Sequence, residues 1–219
     1  MSADYSKLLN PERALVFRII HRANLPWILE HGLHCGNSAV KTSGWVSIGH
    51  AELITRRARH PVTATPGGVL NDYVPFYFTP FSVMMHNINT GWNGVQRYSK
   101  EDILILVSSL HKIQQLGLPF LFTDSHAYNN LAHFYRDLAD IDKVDWALLQ
   151  SRDFKRDPDH DPNKLSRYQA EALVHRHCPV EGLSGIVCHS AQTKIQIERA
   201  LALSRSPLTV HARAGWFFE

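Results

Sequence analysis

The 219-residue chain is 44% hydrophobic and 20% charged, with a formal net charge of +3 at pH 7. These proportions exclude a disordered chain and a collagen-like or coiled-coil repeat, and no apolar run approaches the roughly 20 residues of a membrane-spanning helix. The mildly basic charge does not by itself indicate nucleic-acid binding. We therefore expect one globular domain over residues 1–219, without membrane association.

The first half of the chain alternates strand and helix signals. Residues 14–20 are rich in β-branched and aromatic side chains and predict a strand. Asn24 is a typical helix N-cap, and it is followed by a proline and, later, a glycine stop, which predicts a helix over residues 25–31. Residues 51–59 read as helical, and their arginines are expected to form a solvated basic face.

Two further strands are predicted before residue 110. Residues 73–78 have strand composition, but Pro75 lacks a backbone N–H and would confine them to a sheet edge or an irregular position. Residues 102–108 form a nearly continuous apolar run, which is typical of a buried central strand. A short apolar run at residues 120–123 predicts another strand.

The second half is predicted to complete an α+β fold. Apolar residues at three- and four-residue spacing predict a helix that begins at Asp124 or Ser125 and carries Tyr128, Leu131, Phe134, Tyr135 and Leu138 on one face. Short strands are predicted at residues 172–174, 185–188, 208–212 and 215–218. A helix is predicted at 191–203, with Ile195, Ile197, Ala200 and Leu201 inward. We expect a mixed, mostly antiparallel sheet with peripheral helices.

Common catalytic and metal-binding motifs are absent from the sequence. It contains no Gly-rich phosphate loop, no GxSxG elbow and no HExxH pair. The turn at residues 157–162 holds carboxylates and a histidine, but its flanking prolines favour a solvated turn over a metal site. His175 and His177 would share a strand face, without a cysteine or carboxylate at zinc spacing. No metal is expected.

The three cysteines indicate a reducing compartment. Cys35, Cys178 and Cys188 are widely separated and form no CxxC pair, so neither a disulfide framework nor a thiolate metal site is expected. The first 13 residues show no basic start followed by an apolar run, as a secretory signal would. We expect a cytoplasmic protein.

Charged residues at strand positions are the most informative candidates for chemistry. Arg18 lies inside an apolar strand, where a charge needs a partner, an anionic ligand or an outward direction. Glu171 stands at the entrance of a buried strand, where a carboxylate is either paired in an ion pair or catalytic. The residues alone leave these alternatives open.

The order of several segments resembles the DarT family of DNA ADP-ribosyltransferase toxins. The similar segments are FRIIHRANLPWIL (17–29), GLHCGN (32–37), IGHAELI (48–54) with Arg57, PGGVLNDYVPFYF (66–78), PFLFTDSH (119–126) and YQAEALV (168–174). The resemblance extends over about residues 4–219. It implies a compact ADP-ribosyltransferase fold and an enzyme that splits NAD as its substrate. The ADP-ribose would be attached to a base, most often thymidine, in a short sequence context of single-stranded DNA.

The resemblance also implies roles for individual residues and for partners. Glu171 and Arg57 match the catalytic residues. The NAD-binding positions are Arg18, Ile19, Ile20, His21, Trp27, His34 and Arg57. The region around residues 123–171 matches the loop that presents the DNA base, and its mixture of positive and aromatic side chains comprises His126, Tyr128, Arg152, Lys155, Arg156 and Tyr168. A monomeric toxin is implied, with a DarG-like macrodomain antitoxin as its partner.

The sequence departs from the family in two places. Some relatives have His where this chain has Arg18, and many carry a Pro-Arg-Ser-Pro-Met-Leu run where residues 80–85 read Pro-Phe-Ser-Val-Met-Met. The second departure bears on the preferred base and its context more than on the activity.

The implied residues suit the cleavage of the bond between nicotinamide and ribose. A carboxylate such as Glu171 can stabilise the cation-like sugar of the transition state. Arg18 or Arg57 could bind the pyrophosphate. Arg57 is ordinarily too basic to remove a proton from the acceptor base, so its part in the proton step stays open.

Other functions remain compatible with the sequence. The same NAD chemistry could act on RNA, on a protein or on water. A non-catalytic single-stranded DNA-binding module is a second class, disfavoured by the intact Glu171 and Arg57. A metal-dependent nuclease is disfavoured further, because the ligand spacing is absent.

Overall fold

The computed structural model describes residues 4–218, which fold around one large sheet. The strands are β1 (Leu15–His21), β2 (Leu33–His34), β3 (Tyr73–Tyr77), β4 (Ile103–Ser109), β5 (Phe120–Thr123), β6 (Phe134–Tyr135), β7 (Glu171–His175), β8 (His177–Cys178), β9 (Gly185–Cys188) and β10 (Thr209–Ala212). The α-helices are α1 (Leu25–His31), α2 (Ala51–Arg57), α3 (Val83–Thr90), α4 (Leu110–Gln115), α5 (Trp146–Ser151), α6 (Lys164–Tyr168) and α7 (Ala191–Ser204). None of the helices within residues 4–218 is long and apolar enough to cross a membrane.

The large sheet has eight strands in the order β10-β9-β4-β1-β3-β7-β5-β6, and β2 pairs with β8 in a separate two-stranded sheet. Neighbouring strands are antiparallel except β9 and β10, which are parallel. The mixed, mostly antiparallel sheet with surrounding helices confirms the predicted α+β class. The apolar run of β4 lies in the sheet interior between β1 and β9, as its composition predicted.

The position of β3 differs from the prediction. Despite Pro75, β3 lies in the middle of the sheet between β1 and β7. It pairs with β7 along its whole length but with β1 only at Tyr77 and Phe17. Nη1 of Arg18, on β1, donates a hydrogen bond to the Pro75 carbonyl oxygen at 2.7 Å. The backbone carbonyl and nitrogen atoms of Pro75 therefore face β1. The missing N–H of Pro75 therefore faces an opening in the sheet rather than a ladder, which explains why a central strand tolerates it.

Three other local predictions are wrong. The helix predicted from residue 124 is instead a series of turns followed by β6, and Leu131 is 75% exposed. The strand predicted at residues 215–218 is replaced by a 3-10 turn at Ala214–Trp216. In α7, Ile197 and Leu201 are buried as predicted, but Ile195 is exposed and Thr193 takes the inward position.

Candidate active site

A cavity of about 480 Å³ opens where β1 and β3 separate. Its wall combines Arg18 from β1, Arg57 from α2 and Glu171 from β7, with the irregular segment 36–50 along one side. A volume of this size is ordinary for a small-molecule site. The split in the sheet thus gives a ligand access to charged side chains that are otherwise surrounded by core.

Glu171 and Arg57 form a buried ion pair at the bottom of this cavity. Glu171 is 2% exposed and Arg57 9% exposed. Nη1 of Arg57 donates to Oε1 of Glu171 at 3.1 Å, and Nη2 lies 2.9 Å from Oε2 without hydrogen-bond alignment. The backbone N–H of Ala127 donates to the same Oε1 at 3.1 Å. The carboxylate is thereby held in one orientation.

The backbone around Glu171 explains this fixed position. Glu171 is the first residue of β7, opposite Tyr77 of β3, and its N–H donates to Oγ1 of Thr123 on β5 at 3.1 Å. Arg57 is the last residue of α2, and its neighbour Arg56 is exposed and pairs with Glu52 instead. The predicted basic face of this helix is therefore correct for Arg56 but wrong for Arg57.

The cavity keeps the glutamate ionised. Burial raises the pKa of Glu171, but the Arg57 charge, His126 and the hydrogen bonds from Arg57 and Ala127 outweigh it and hold the pKa below its ordinary value. Burial lowers the pKa of His126, although the Glu171 charge raises it, and Nε2 of His126 lies 3.7 Å from Oε1 of Glu171. Burial also raises the pKa of Tyr77 to about 12.

Arg18 provides a second, incompletely satisfied cation in the cavity. Burial lowers its pKa to about 10, which leaves the guanidinium charged at neutral pH. Within residues 4–218 its Nε atom is buried without a hydrogen-bond partner. Among the described residues, the edge of β1 that faces β3 also pairs with no strand beyond Phe17. A polar ligand in the cavity could pair with this open strand edge, and an anionic ligand with the Arg18 charge.

Of the remaining predicted NAD-binding residues, all but His21 line the cavity. Ile19, Ile20, Trp27 and His34 line the cavity together with Arg18 and Arg57. His21 is not brought to the cavity. Its Nδ1 accepts a hydrogen bond from the backbone N–H of Ala23, and its ring packs against Tyr98 with the centroids 5.0 Å apart.

Sequence reasoning missed the segment 36–50 and Tyr77. Residues Val40, Thr42, Trp45 and Ile48 of this segment all line the cavity, and the Trp45 ring packs edge-on against Trp27. The segment has no hydrophobic period, so it gave no strand or helix signal. Its length was the available sign, since loops longer than about 12 residues in compact domains are often functional.

A second cavity of about 400 Å³ adjoins the first and shares His126 with it. Tyr128 and Arg156 line this second cavity, and the Tyr128 ring lies 4.8 Å from that of His60. Arg156 is exposed and takes part in none of the ion pairs found among residues 4–218. Three of the predicted DNA-binding residues therefore line the second cavity, and one of them, His126, lies beside the buried glutamate.

The other three predicted DNA-binding residues do not meet there. Tyr168 is 2% exposed and its hydroxyl donates to the Phe81 carbonyl oxygen at 3.0 Å, so its ring belongs to the core. The guanidinium of Arg152 lies 3.9 Å from the Phe81 ring centroid, and its Nη1 donates to the Tyr5 hydroxyl. Lys155 is exposed and does not line the second cavity.

The two histidine-containing segments that could be considered for a metal site, residues 157–162 and His175 with His177, are engaged in other hydrogen bonds or lack neighbouring ligands within the described chain. No group of three or more potential metal ligands occurs among residues 4–218. In the 157–162 turn, Asp157 accepts hydrogen bonds from the backbone and ring nitrogens of His160. His177 Nε2 bonds instead to the His31 carbonyl oxygen at 2.8 Å.

The arrangement suits chemistry that develops positive charge on a bound ligand. A fixed, ionised carboxylate in a largely buried cavity stabilises such a charge strongly, because little water is present to screen it. The two arginines offer charge-assisted hydrogen bonds to phosphate oxygens. The adjoining cavity can bring a second reactant to the same carboxylate.

Comparisons with known proteins point to one chemistry. The family model described as "ssDNA thymidine ADP-ribosyltransferase, DarT" matches residues 17–218. A DNA ADP-ribosyl transferase of Escherichia coli O127:H6 (strain E2348/69 / EPEC) is 53% identical over 219 residues, which is 100% of both chains. Thermus sp. 2.9 DarT in complex with ADP-ribosylated ssDNA matches with a TM-score of 0.86 at 32% identity, covering 95% of this chain and 98% of that one. The same Thermus protein in complex with NAD+ matches with a TM-score of 0.81, again at 32% identity, over 95% and 99% of the two chains. These structural matches confirm the expected ADP-ribosyltransferase fold.

Proposed function

The chain belongs to the DarT family of single-stranded DNA thymidine ADP-ribosyltransferases, and we propose that the cavity between β1 and β3 cleaves NAD and delivers ADP-ribose to thymidine in single-stranded DNA. The observation that carries this proposal is the buried Arg57–Glu171 pair, which lines the first cavity and lies beside His126, the residue that both cavities share. One cavity suits the dinucleotide and the other suits the acceptor strand.

NAD would bind along β1 with its nicotinamide near the open strand edge. The carboxamide has one acceptor and two donors, which match the unpaired backbone edge beyond Phe17. Arg18 would bind the pyrophosphate, or a ribose hydroxyl, through its guanidinium group, because this residue lines the cavity. Trp27 and His34 would contact the rest of the dinucleotide from α1 and β2.

Glu171 would act on the ribose. The bond between C1′ and the nicotinamide nitrogen breaks, and its electron pair leaves with nicotinamide. The positive charge that develops on the sugar is stabilised by the ionised carboxylate, which can also accept a hydrogen bond from a ribose hydroxyl. The low pKa of Glu171 keeps this carboxylate charged throughout the neutral range.

The acceptor base would enter from the second cavity. A thymine ring nitrogen attacks C1′ while its proton leaves to solvent water. The Arg57 guanidinium can stabilise the negative charge that develops on the base before the bond to C1′ is complete, and the product base is neutral. Tyr128 offers a stacking face, and the exposed Arg156 offers a cation for the backbone phosphate. The base must be unstacked to reach C1′, which favours single-stranded DNA over a duplex.

The proposal also covers the biological role, the partner and the cellular location of the protein. We infer that the chain is the toxin of a toxin–antitoxin pair and that its antitoxin is a DarG-like macrodomain, as family membership implies. We further propose that the protein is cytoplasmic and monomeric, and that residues 1–219 form a single domain. The three cysteines are free and buried, which suits a reducing compartment.

The test uses purified protein, NAD and matched oligonucleotides, followed by intact mass. The substrates are single-stranded DNA with and without thymidine, the corresponding duplex, and RNA. We expect one ADP-ribose on the thymidine-containing single strand alone, and no adduct with Glu171→Gln. The isosteric amide removes the negative charge with little change in shape.

Each other outcome would overturn part of the proposal. An adduct on RNA or protein would keep the NAD chemistry and change the acceptor. Nicotinamide release without an adduct would indicate hydrolysis of NAD. Equal activity of the Glu171→Gln variant would refute the role given to the carboxylate.

A further inference from the structure

Asn24 holds the cavity-lining segment 36–50 through both atoms of its side-chain amide. Its Nδ2 donates to the Val46 carbonyl oxygen at 2.8 Å, and its Oδ1 accepts from the Val46 N–H at 2.8 Å. Asn24 is 3% exposed, so these bonds are shielded from water. One buried side chain therefore fixes both polar groups of a single residue in a long irregular loop.

This use of Asn24 replaces the helix-capping role that its sequence position predicts. Its backbone is in the right-handed helical region (φ −80°, ψ −13°), because a 3-10 turn over Arg22–Asn24 precedes α1. A capping residue normally has extended backbone. The Asn24 side chain makes no capping bond, and His21 instead accepts from the backbone at the start of the turn. The amide of Asn24 is thus committed to Val46.

Few other bonds connect the centre of this segment to the rest of the protein. Between residues 39 and 48, the hydrogen bonds that leave the segment within the described chain are the two to Asn24 and one from the Tyr98 hydroxyl to the Ser47 carbonyl oxygen at 3.4 Å. Trp45 packs against Trp27 of α1. Exposed Val40 and Trp45 show that apolar packing alone covers this segment incompletely.

We infer that Asn24 is a positioning residue that sets the NAD affinity of the cavity by holding Trp45, Val46 and Ser47 against it. These three residues line the cavity, as does Asn24. Without the amide, the segment must be ordered each time NAD binds, and that conformational entropy would be taken from the binding free energy. The inference rests on the proposed function, because NAD is the ligand of this cavity there.

The test compares Asn24→Ala and Asn24→Asp with the wild type. Asn24→Asp keeps an acceptor for the Val46 N–H but loses the donor, so it distinguishes the two bonds. We expect the KM for NAD to rise about tenfold in Asn24→Ala, which corresponds to about 1.4 kcal/mol, and by at least as much in Asn24→Asp, because its buried carboxylate would face the Val46 carbonyl oxygen. The KM for single-stranded DNA and the kcat at saturating NAD should stay within twofold of wild type.

A matched control separates positioning from general stability. Gln150→Ala also removes a bond from a side-chain amide to the backbone, in this case to the Leu9 carbonyl oxygen at 2.7 Å, and Gln150 does not line the cavity. It should lower Tm without changing the KM for NAD. Hydrogen exchange in Asn24→Ala should accelerate within residues 39–48. If Asn24→Ala does not fold, the KM for NAD and the hydrogen exchange of residues 39–48 in Asn24→Asp decide whether the inference holds.

The inference would be overturned by an unchanged KM for NAD in folded Asn24 variants, or by equal increases in both KM values. This failure is distinct from a failure of the proposed function. If the proposed function were wrong, the wild type itself would transfer no ADP-ribose to single-stranded DNA.

Discussion

Removing the positive charge of Arg57 should destabilise the folded protein strongly, in addition to disabling transfer. Arg57→Met keeps the length of the side chain but leaves Glu171 buried with one hydrogen-bond donor, the Ala127 N–H. Removing one partner of a buried ion pair costs about 3–5 kcal/mol. Because the Arg57 side chain is 10% exposed to the cavity, and because Glu171 can take up a proton, we expect the lower end, about 3 kcal/mol.

The expected change in Tm follows from the size of the protein. For chains of 150–250 residues, 1 kcal/mol corresponds to roughly 2–4 °C, so Arg57→Met should lower Tm by about 6–12 °C. Arg56→Met is the matched control, since Arg56 precedes Arg57 on α2 and its pair with Glu52 is exposed. An exposed pair contributes about 0.5 kcal/mol or less, so the control should stay within about 2 °C of wild type.

A double-mutant cycle tests whether the pair is the cause. Glu171→Gln alone leaves Arg57 as an uncompensated buried charge, whereas Arg57→Met with Glu171→Gln removes both charges. The double variant should therefore be more stable than the sum of the two single changes predicts, by about 2 kcal/mol or more. The measurement is denaturant unfolding at pH 7. Strict additivity, or a change in Tm below 2 °C for Arg57→Met, would refute the reasoning.

The pair also defines the pH range of this stability. The folded pKa of Glu171 lies below its ordinary 4.5, so the unfolded state binds more protons in that range. The contribution is present above about pH 4.5 and is lost as the pH falls through the folded pKa. The stability difference between wild type and Arg57→Met should therefore shrink at acid pH, and a constant difference would contradict this assignment.

The other predictions concern catalysis and DNA binding. Arg57→Lys loses the hydrogen bond from the guanidinium to Oε1 and should raise the pKa of Glu171, which would move the acid limb of kcat/KM to higher pH; an unmoved limb would show that another group titrates. Tyr128→Ala should raise the KM for single-stranded DNA about tenfold through lost stacking, whereas Tyr168→Phe should leave that KM unchanged because the ring is buried. Arg156→Ala should reduce the slope of log affinity against log salt by about 0.7, measured by DNA titration; an unchanged slope would exclude a phosphate contact.

Much of the fold could be predicted from local patterns. The strands β1, β4, β5, β7, β9 and β10 and the helices α1, α2 and α7 lie within a few residues of their predicted positions, because apolar period and capping residues act over one or two turns of chain. The helix predicted from residue 124 failed for a physical reason. Its apolar spacing was helical, but Ala127 N–H is used to hold Glu171, and Asp124 binds His133 rather than capping a helix.

The candidate site shows the limit of sequence reasoning more clearly. A charged residue inside a strand identified Arg18 as unusual, and resemblance brought Arg57 and Glu171 together. The residues alone described Arg57 as part of a solvated face. Only the packing of α2 over the open sheet, with Arg57 and Glu171 separated by 114 positions in the chain, makes it a buried partner of the glutamate.

The sequence by itself determined the α+β class, the resemblance to DNA ADP-ribosyltransferases and the identity of the central carboxylate, since each depends on residue type and order. The tertiary structure alone decided that β3 is central, that Tyr168 belongs to the core, that Arg152 packs against the Phe81 ring, and that Asn24 holds a loop instead of capping a helix. These features depend on which distant backbone groups remain unsatisfied once the strands have paired, and local sequence patterns contain no information about them.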